Sequence, residues 1–251
     1  MLKPLNSSAA TSAEADKDCH LVFDIDGVIL DWVTAFMTWV NDTHRIRSSV
    51  MPEEIRAFNL AGYFSHHRTF PERKFIHLVE EFSKSEGFRE IESFRGAADF
   101  LEDANEAGLK IHAVTACGGA EAEASRRYCL RRQVFWRDEW PLHALPLGAS
   151  KKEVLSQFPA ERTLFIDDLY KNVAGAREAG IRAVWHKSMH GTLYEDMDEH
   201  LLSELYTSSW DDLRCEVHSF LLKISPAMAD KYDGGLLRAE ARHAEETYGW
   251  L

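Results

Sequence analysis

The stretch LVFDIDGVIL, residues 21–30, decides how this chain is read. An apolar, β-prone run ends in two aspartates, Asp24 and Asp26, and Gly27 follows at once. A short continuous apolar run closed by a turn residue reads as a strand buried on both faces, here over residues 20–25. Two like charges at the end of such a strand repel one another and resist burial. They call for a reason, either a local turn or a site that uses them.

Reading outward, the pattern changes after the aspartates. Segments within 31–94, such as WVTAFMTWVNDTH and PERKFIHLVEEFSKSEGF, place apolar residues at helical spacing between Pro52, Gly62, Pro71 and Gly87. Beyond them helices and strands alternate. GAADFLEDANEAG predicts a helix closed by Gly108, and LKIHAVTA a strand. Residues 120–132 predict a helix. SKKEVLSQF predicts a helix opened by a capping box from Ser150 to Glu153. RTLFIDD predicts a strand, LYKNVAGAREAG a helix, IRAVWH a strand, and 208–222 a last helix. Alternation of this kind implies an α/β fold, a Rossmann-like parallel sheet covered by helices on both faces. The chain then divides into a tail (1–18), a core (19–30 and 95–222), an inserted helical block (31–94) and a helical appendage (223–251) with a solvated charged face.

Composition bounds the function. The chain of 251 residues is 28% charged and carries a net charge of −12, which argues against general nucleic-acid binding, since phosphate backbones need a basic surface. The four cysteines (Cys19, Cys117, Cys129, Cys215) form no metal or disulfide spacing. No apolar run reaches the roughly 18 residues of a membrane span, and the N-terminus has no signal-peptide core. The expectation is a cytoplasmic protein with no membrane partner.

In an open parallel sheet ligands bind at the carboxyl ends of the strands. Three predicted strands end in reactive residues there: Asp24 and Asp26, Thr115, and Asp167 with Asp168. Lys151 and Lys152 open a helix between the last two. Clustered carboxylates raise one another's pKa unless a hard cation joins them, and oxygen ligands suit Mg²⁺. With the metal in place, a phosphate dianion can approach; a lysine and a threonine hydroxyl hold its oxygens. One carboxylate can attack phosphorus, and a second can move the proton.

The ordered set resembles the haloacid dehalogenase-like superfamily of phosphatases. FDIDGV resembles its first motif, AVTA the second, SKKEVL the third and FIDDLYKNVAGAREAG the fourth, over roughly residues 20–186. The resemblance implies Asp24 as nucleophile and Asp26 as general acid/base. It implies Mg²⁺ held by Asp24, the main-chain carbonyl of Asp26, and Asp168 with Asp167. Thr115 and a lysine would bind the phosphoryl group, Lys151 or Lys152, and Asn172 would orient the lysine or the metal shell. An acid at the position of Asp26 favours ester hydrolysis over dehalogenation, because a leaving alkoxide needs a proton. All four aspartates being present also argues against a catalytically silent binding protein.

The helical block stands where the superfamily places a C1 cap. DIDGVILDW resembles the 5′(3′)-deoxyribonucleotidase group, whose pattern runs DMDGVLADF. The resemblance implies a nucleoside monophosphate substrate, with Trp32 and Phe36, and the cap aromatics Tyr63 and Phe64, as stacking candidates. The chain departs from that group at Arg95-Gly96-Ala97 and after Thr115. A sugar phosphate is the alternative small metabolite. His66, His67 and Arg68 read as a solvated loop, and Cys117 as a residue beside the site without a nucleophilic role.

Overall fold

A computed structural model describes residues 18–55, 60–64, 71–134, 136–186, 206–207 and 209–233. Its centre is a parallel sheet of six strands in the order β3-β2-β1-β4-β5-β6. The strands are β1 (His20–Phe23), β2 (Lys110–Thr115), β3 (Leu142–Ala144), β4 (Thr163–Asp167), β5 (Arg182–His186) and β6 (Tyr206–Thr207). β1 pairs with β2 and β4 in register, Leu21 opposite both Ile111 and Leu164.

Alternation along the strands sorts side chains between two apolar layers. Leu21, Phe23, Ile111, Leu164 and Ile166 enter the larger one, while Val22, Val114, Phe165 and Trp185 enter the other. Helices α4 (Ala97–Glu106), α5 (Ala120–Val134) and α8 (Trp210–Ile224) cover the larger layer. Helices α6 (Lys152–Leu155) and α7 (Tyr170–Glu178) cover the smaller. From β1 the chain builds outward to β2 and β3 on one side, then returns to lay β4, β5 and β6 on the other. The reversal falls between β1 and β4, where open α/β sheets form a crevice at their carboxyl ends.

The insert leaves the core after Leu30 and returns at Ser93, and these two residues form an antiparallel bridge. Asp31 N–H donates to Glu92 O and Phe94 N–H to Ile29 O, both at 2.9 Å. Asp31 also caps α1 (Trp32–His44), its side chain accepting from Thr34 N–H. Short 3₁₀ turns at Pro52–Glu54 and Leu60–Phe64 lead to α2 (Glu72–Phe82) and α3 (Glu86–Arg89). Phe36 is the hub of the insert: Trp32 stacks on it at 4.7 Å, and Phe64, Phe75 and Phe82 meet its ring edge-on. The insert's apolar residues are continuous with the larger core layer.

Some expectations change. β1 stops at Phe23 rather than Ile25. Asp24 N–H still bonds across to Ile166 O, but Ile25 N–H turns back to Asp24 Oδ1, which breaks the ladder. α6 is a single turn, and Ser150 Oγ accepts from Lys152 N–H instead of forming the predicted capping box. The strands β3 and β6 were not anticipated. The start of the appendage, residues 226–233, is helical, with Asp230, Lys231 and Asp233 exposed while its other face packs: Ala229 and Tyr232 are buried in the larger layer. Residues 1–17 and 234–251, with His66, His67 and Arg68, lie outside the described residues. Among the described residues no helix is long and apolar enough to cross a membrane.

Candidate active site

Asp24, Thr115 and Asp167 stand at the carboxyl ends of three adjacent strands, β1, β2 and β4. Adjacency in the sheet, not in sequence, gathers them. A cavity of about 700 Å³ opens above them, with Asp24, Asp26, Gly27, Thr115, Lys151, Asp168 and Asn172 in its lining.

Each polar group on this floor is held by a definite partner. Asp24 is buried, with Oδ1 accepting from Ile25 N–H at 2.7 Å and Oδ2 at 2.6 Å from Lys151 Nζ. Lys151 Nζ also reaches Asp167 Oδ2 at 2.7 Å. Burial opposes charge on this lysine, but Asp167 and Asp24 outweigh it and raise its pKa. Asp167 is fully buried and its oxygens are further engaged by Leu169 N–H at 2.8 Å and Asn172 Nδ2 at 3.0 and 3.1 Å. Asn172 and Asp167 thus orient the lysine. Asp168 lines the cavity, and its main-chain carbonyl is anchored by Trp185 Nε1 at 2.9 Å.

Burial pushes the Asp26 carboxyl up to about 6, against the pull of Arg126 and with a further push from Asp24. Asp168 is raised well above the usual carboxylate range by burial, then by Asp167 and Asp24. Oxygens of Asp24, Asp167 and Asp168 lie within 4.8 Å of one another. The four carboxylates Asp24, Asp26, Asp167 and Asp168 face two cations, Lys151 and Arg126. The all-oxygen donor set, with more carboxylates than cations around it even counting Lys171, fits one hard divalent cation. Gly27 is part of the same fit. Its φ of +81° suits glycine, and a Cβ there would overlap the Asp168 carboxylate.

The structure separates residues that the sequence left together. Lys151 is inside the site, whereas Lys152 pairs with Glu178 at 3.1 Å on the surface, so Lys152 is withdrawn as a phosphate ligand. Trp32 lines the cavity, but Phe36 is fully buried beneath it and is withdrawn as a substrate contact. Phe64 is likewise buried against Phe36, and Tyr63 is absent from the lining. Cys117 lines the cavity, and burial, then Asp26, push its thiol up to about 11, which makes it a poor nucleophile.

Sequence reasoning missed Arg126 and Trp185. Arg126 is fully buried, and its Nη2 lies 2.7 and 2.9 Å from the two oxygens of Asp26. A signal was present. On α5 the buried positions are 122, 125, 126, 129, 130 and 134, a helical stripe on which an arginine is out of place.

Neither a protein-family sequence pattern nor any curated protein sequence matches the chain. Solved structures do resemble it. A haloacid dehalogenase-like hydrolase from Streptococcus pneumoniae has a TM-score of 0.55 at 15% identity, covering 80% of this chain and 99% of that one. A hydrolase of the same family from Deinococcus radiodurans, solved with bound phosphate and sodium, has a TM-score of 0.53 at 17% identity, covering 81% and 96%. Protein Tyrosine Kinase A of Mycobacterium tuberculosis has a TM-score of 0.57 at 19% identity, covering 80% and 98%. The fold is that of the haloacid dehalogenase-like hydrolases, a Rossmann-like α/β core.

Proposed function

We propose that this chain is a phosphomonoesterase of the haloacid dehalogenase-like superfamily, working through an aspartyl-phosphate on Asp24 with Mg²⁺ as cofactor. One observation carries the reading: Asp24, Asp26 and Lys151 share the floor of one cavity, Asp24 paired with Lys151 and Asp26 with Arg126. Lys151 and the Ile25 N–H hold the Asp24 carboxylate so that an oxygen can meet phosphorus in line. As that oxygen bonds phosphorus, the ester P–O bond breaks and the leaving alkoxide takes the proton of Asp26. Asp26, now ionised, takes a proton from water. The resulting hydroxide bonds phosphorus, the P–O bond to Asp24 breaks, and inorganic phosphate leaves with both aspartates restored. A carboxyl poised near 6 can give and take that proton near neutral pH. When bound, a divalent cation supplies positive charge that lets a phosphate dianion stand beside carboxylates. Asp24, Asp168 and the Asp26 main-chain carbonyl are its proposed ligands, and Thr115 and Lys151 those of the phosphoryl oxygens. Asp167 then acts on Lys151 rather than on the metal.

The insert is proposed as the cap that reads the leaving group. Its share of the cavity is mostly apolar, from Trp32, Val33, Ile55, Leu60, Phe75 and Val79, with Glu80 and Ser83 the polar members. Such a wall favours an ester with a flat or apolar body, and a nucleoside monophosphate with its base against Trp32 is the first substrate to try. A sugar phosphate would find, among the described residues, only Glu80 and Ser83 on this wall to bond its hydroxyls.

Phosphate release with Mg²⁺ from nucleoside monophosphates, aryl phosphates and sugar phosphates tests the reading. We expect release that EDTA stops and Asp24→Asn abolishes. Turnover that survives both treatments would overturn the mechanism, and selectivity for sugar phosphates would overturn the substrate.

A further inference from the structure

Arg126 does not line the cavity, yet it is bound to the residue that does the proton transfer. Its side chain is fully buried in the middle of α5. Its guanidinium carbon lies 3.8 Å from the centre of the Phe88 ring, on the returning edge of the insert. Its Nη2 straddles the Asp26 carboxylate, 2.7 Å from Oδ1 and 2.9 Å from Oδ2. Its Nε and Nη1 make no hydrogen bond among the described residues. The cation is thus taken out of water with the Asp26 carboxylate as its charged partner.

Stability is a poor reason for such an arrangement. Burying an ion pair costs desolvation that the pair's own attraction barely offsets, and an apolar side chain would suit the stripe of Cys129 and Leu130 equally well. What the pair does achieve is direction. Asp26 sits in a turn beside Gly27, and its side chain is about a quarter exposed. Without a partner it could rotate about its own bonds. A guanidinium packed against Phe88 holds Oδ2 by a charge-assisted hydrogen bond and leaves Oδ1, at ion-pair distance, without one among the described residues.

We infer that Arg126 is a positioning residue for general acid catalysis: it aims the Asp26 carboxyl at the leaving oxygen and, through Phe88, ties that aim to the seating of the insert. The inference rests on the acid/base role proposed above for Asp26. It predicts that losing Arg126 harms a substrate in proportion to how much its leaving group needs a proton.

The test is kcat on three esters of similar shape, p-nitrophenyl, phenyl and benzyl phosphate, with Mg²⁺. Nitrophenolate leaves without help, and benzyl alkoxide does not. For Arg126→Met we expect a loss of about 10²-fold on benzyl phosphate and at most about threefold on p-nitrophenyl phosphate. Arg126→Lys, which keeps the charge but not the planar group that packs on Phe88, should recover part of the loss on benzyl phosphate and guards against a Met variant that fails to fold. In the Asp26→Asn background, Arg126→Met should add little. An equal loss on all three esters, or no loss, overturns the inference when Asp26→Asn itself shows the leaving-group dependence. Absence of that dependence in Asp26→Asn overturns the role of Asp26 instead.

Discussion

On the floor of the cavity Asp24, Lys151, Asp167 and Asn172 hold one another by direct polar contacts of 2.6 to 3.1 Å. Across from them Trp32, Val33, Phe75 and Val79 form a wall of apolar side chains backed by the Phe36 cluster. The floor rises from the ends of three neighbouring strands; the wall hangs from helices of the insert. In the proposed reading the first acts on any phosphate that reaches it. The second is mostly apolar, with Glu80 and Ser83 its polar members, and selects chiefly by shape and area. The contrast teaches that reaction and substrate are separate properties of this molecule, resting on different physical forces, and it can be broken or sharpened by experiment.

The largest effect belongs to the floor. Asp24→Asn should lower turnover by about 10³-fold or more, with the circular-dichroism spectrum unchanged. Next is Lys151→Met. It leaves Asp24 and Asp167 facing each other in the interior and should cost about 3–5 kcal/mol in urea unfolding besides the loss of activity. The wall gives a paired test. Phe36→Ala should destabilise by about 3–5 kcal/mol, since a fully buried ring is lost. Trp32→Ala should instead raise KM for nucleoside monophosphates by about tenfold while KM for a small alkyl phosphate barely moves. Equal shifts for the two substrates would remove the wall's selective role.

A smaller effect lies far from both regions, at the amino-terminal edge of the sheet. His20 Nδ1 and His112 Nε2 are 3.1 Å apart, and the Phe158 ring packs on both and on His143. Burial lowers the His112 pKa to about 4, with His20, His143 and Lys110 adding to the shift. The unfolded chain takes up this proton near 6.5, before the folded one. Stability is therefore full above pH 6.5 and is lost as pH falls from 6.5 toward 4. Melting temperature should drop over that window, and His112→Phe should flatten the drop. Smallest of all, Lys152→Ala should change neither turnover nor stability beyond about 0.5 kcal/mol, because its pair with Glu178 is exposed.

The sequence made the floor legible and the wall only partly so. β1, β2, β4 and β5 could be read because each is an apolar run ended by a reactive or turn residue, and their order along the chain matched a known set of motifs. β3 and β6, at three and two residues, are too short to show a period, and pairing with a neighbour rather than their own pattern defines them. Lys151 and Lys152 are adjacent in sequence, and only the direction of the single turn α6 decides that one is inside. Trp32 and Phe36 lie one helical turn apart on the same apolar stripe. Periodicity assigns both to a buried face and cannot say which ring edges onto empty space. Arg126 was overlooked because an arginine on a helix is ordinarily a surface residue.

The bridge between Leu30 and Ser93 has one more meaning. To the rest of the chain, everything between those two residues is a loop whose ends already touch. The entropy of closing such a loop grows only slowly with its length, by about 0.6 kcal/mol for each doubling. Lengthening, shortening or exchanging the segment therefore asks little of the sheet, provided the new piece keeps the two hydrogen-bonded anchors and an apolar underside. The seam is a natural point of recombination, at which one sheet can be refitted with another insert without being refolded.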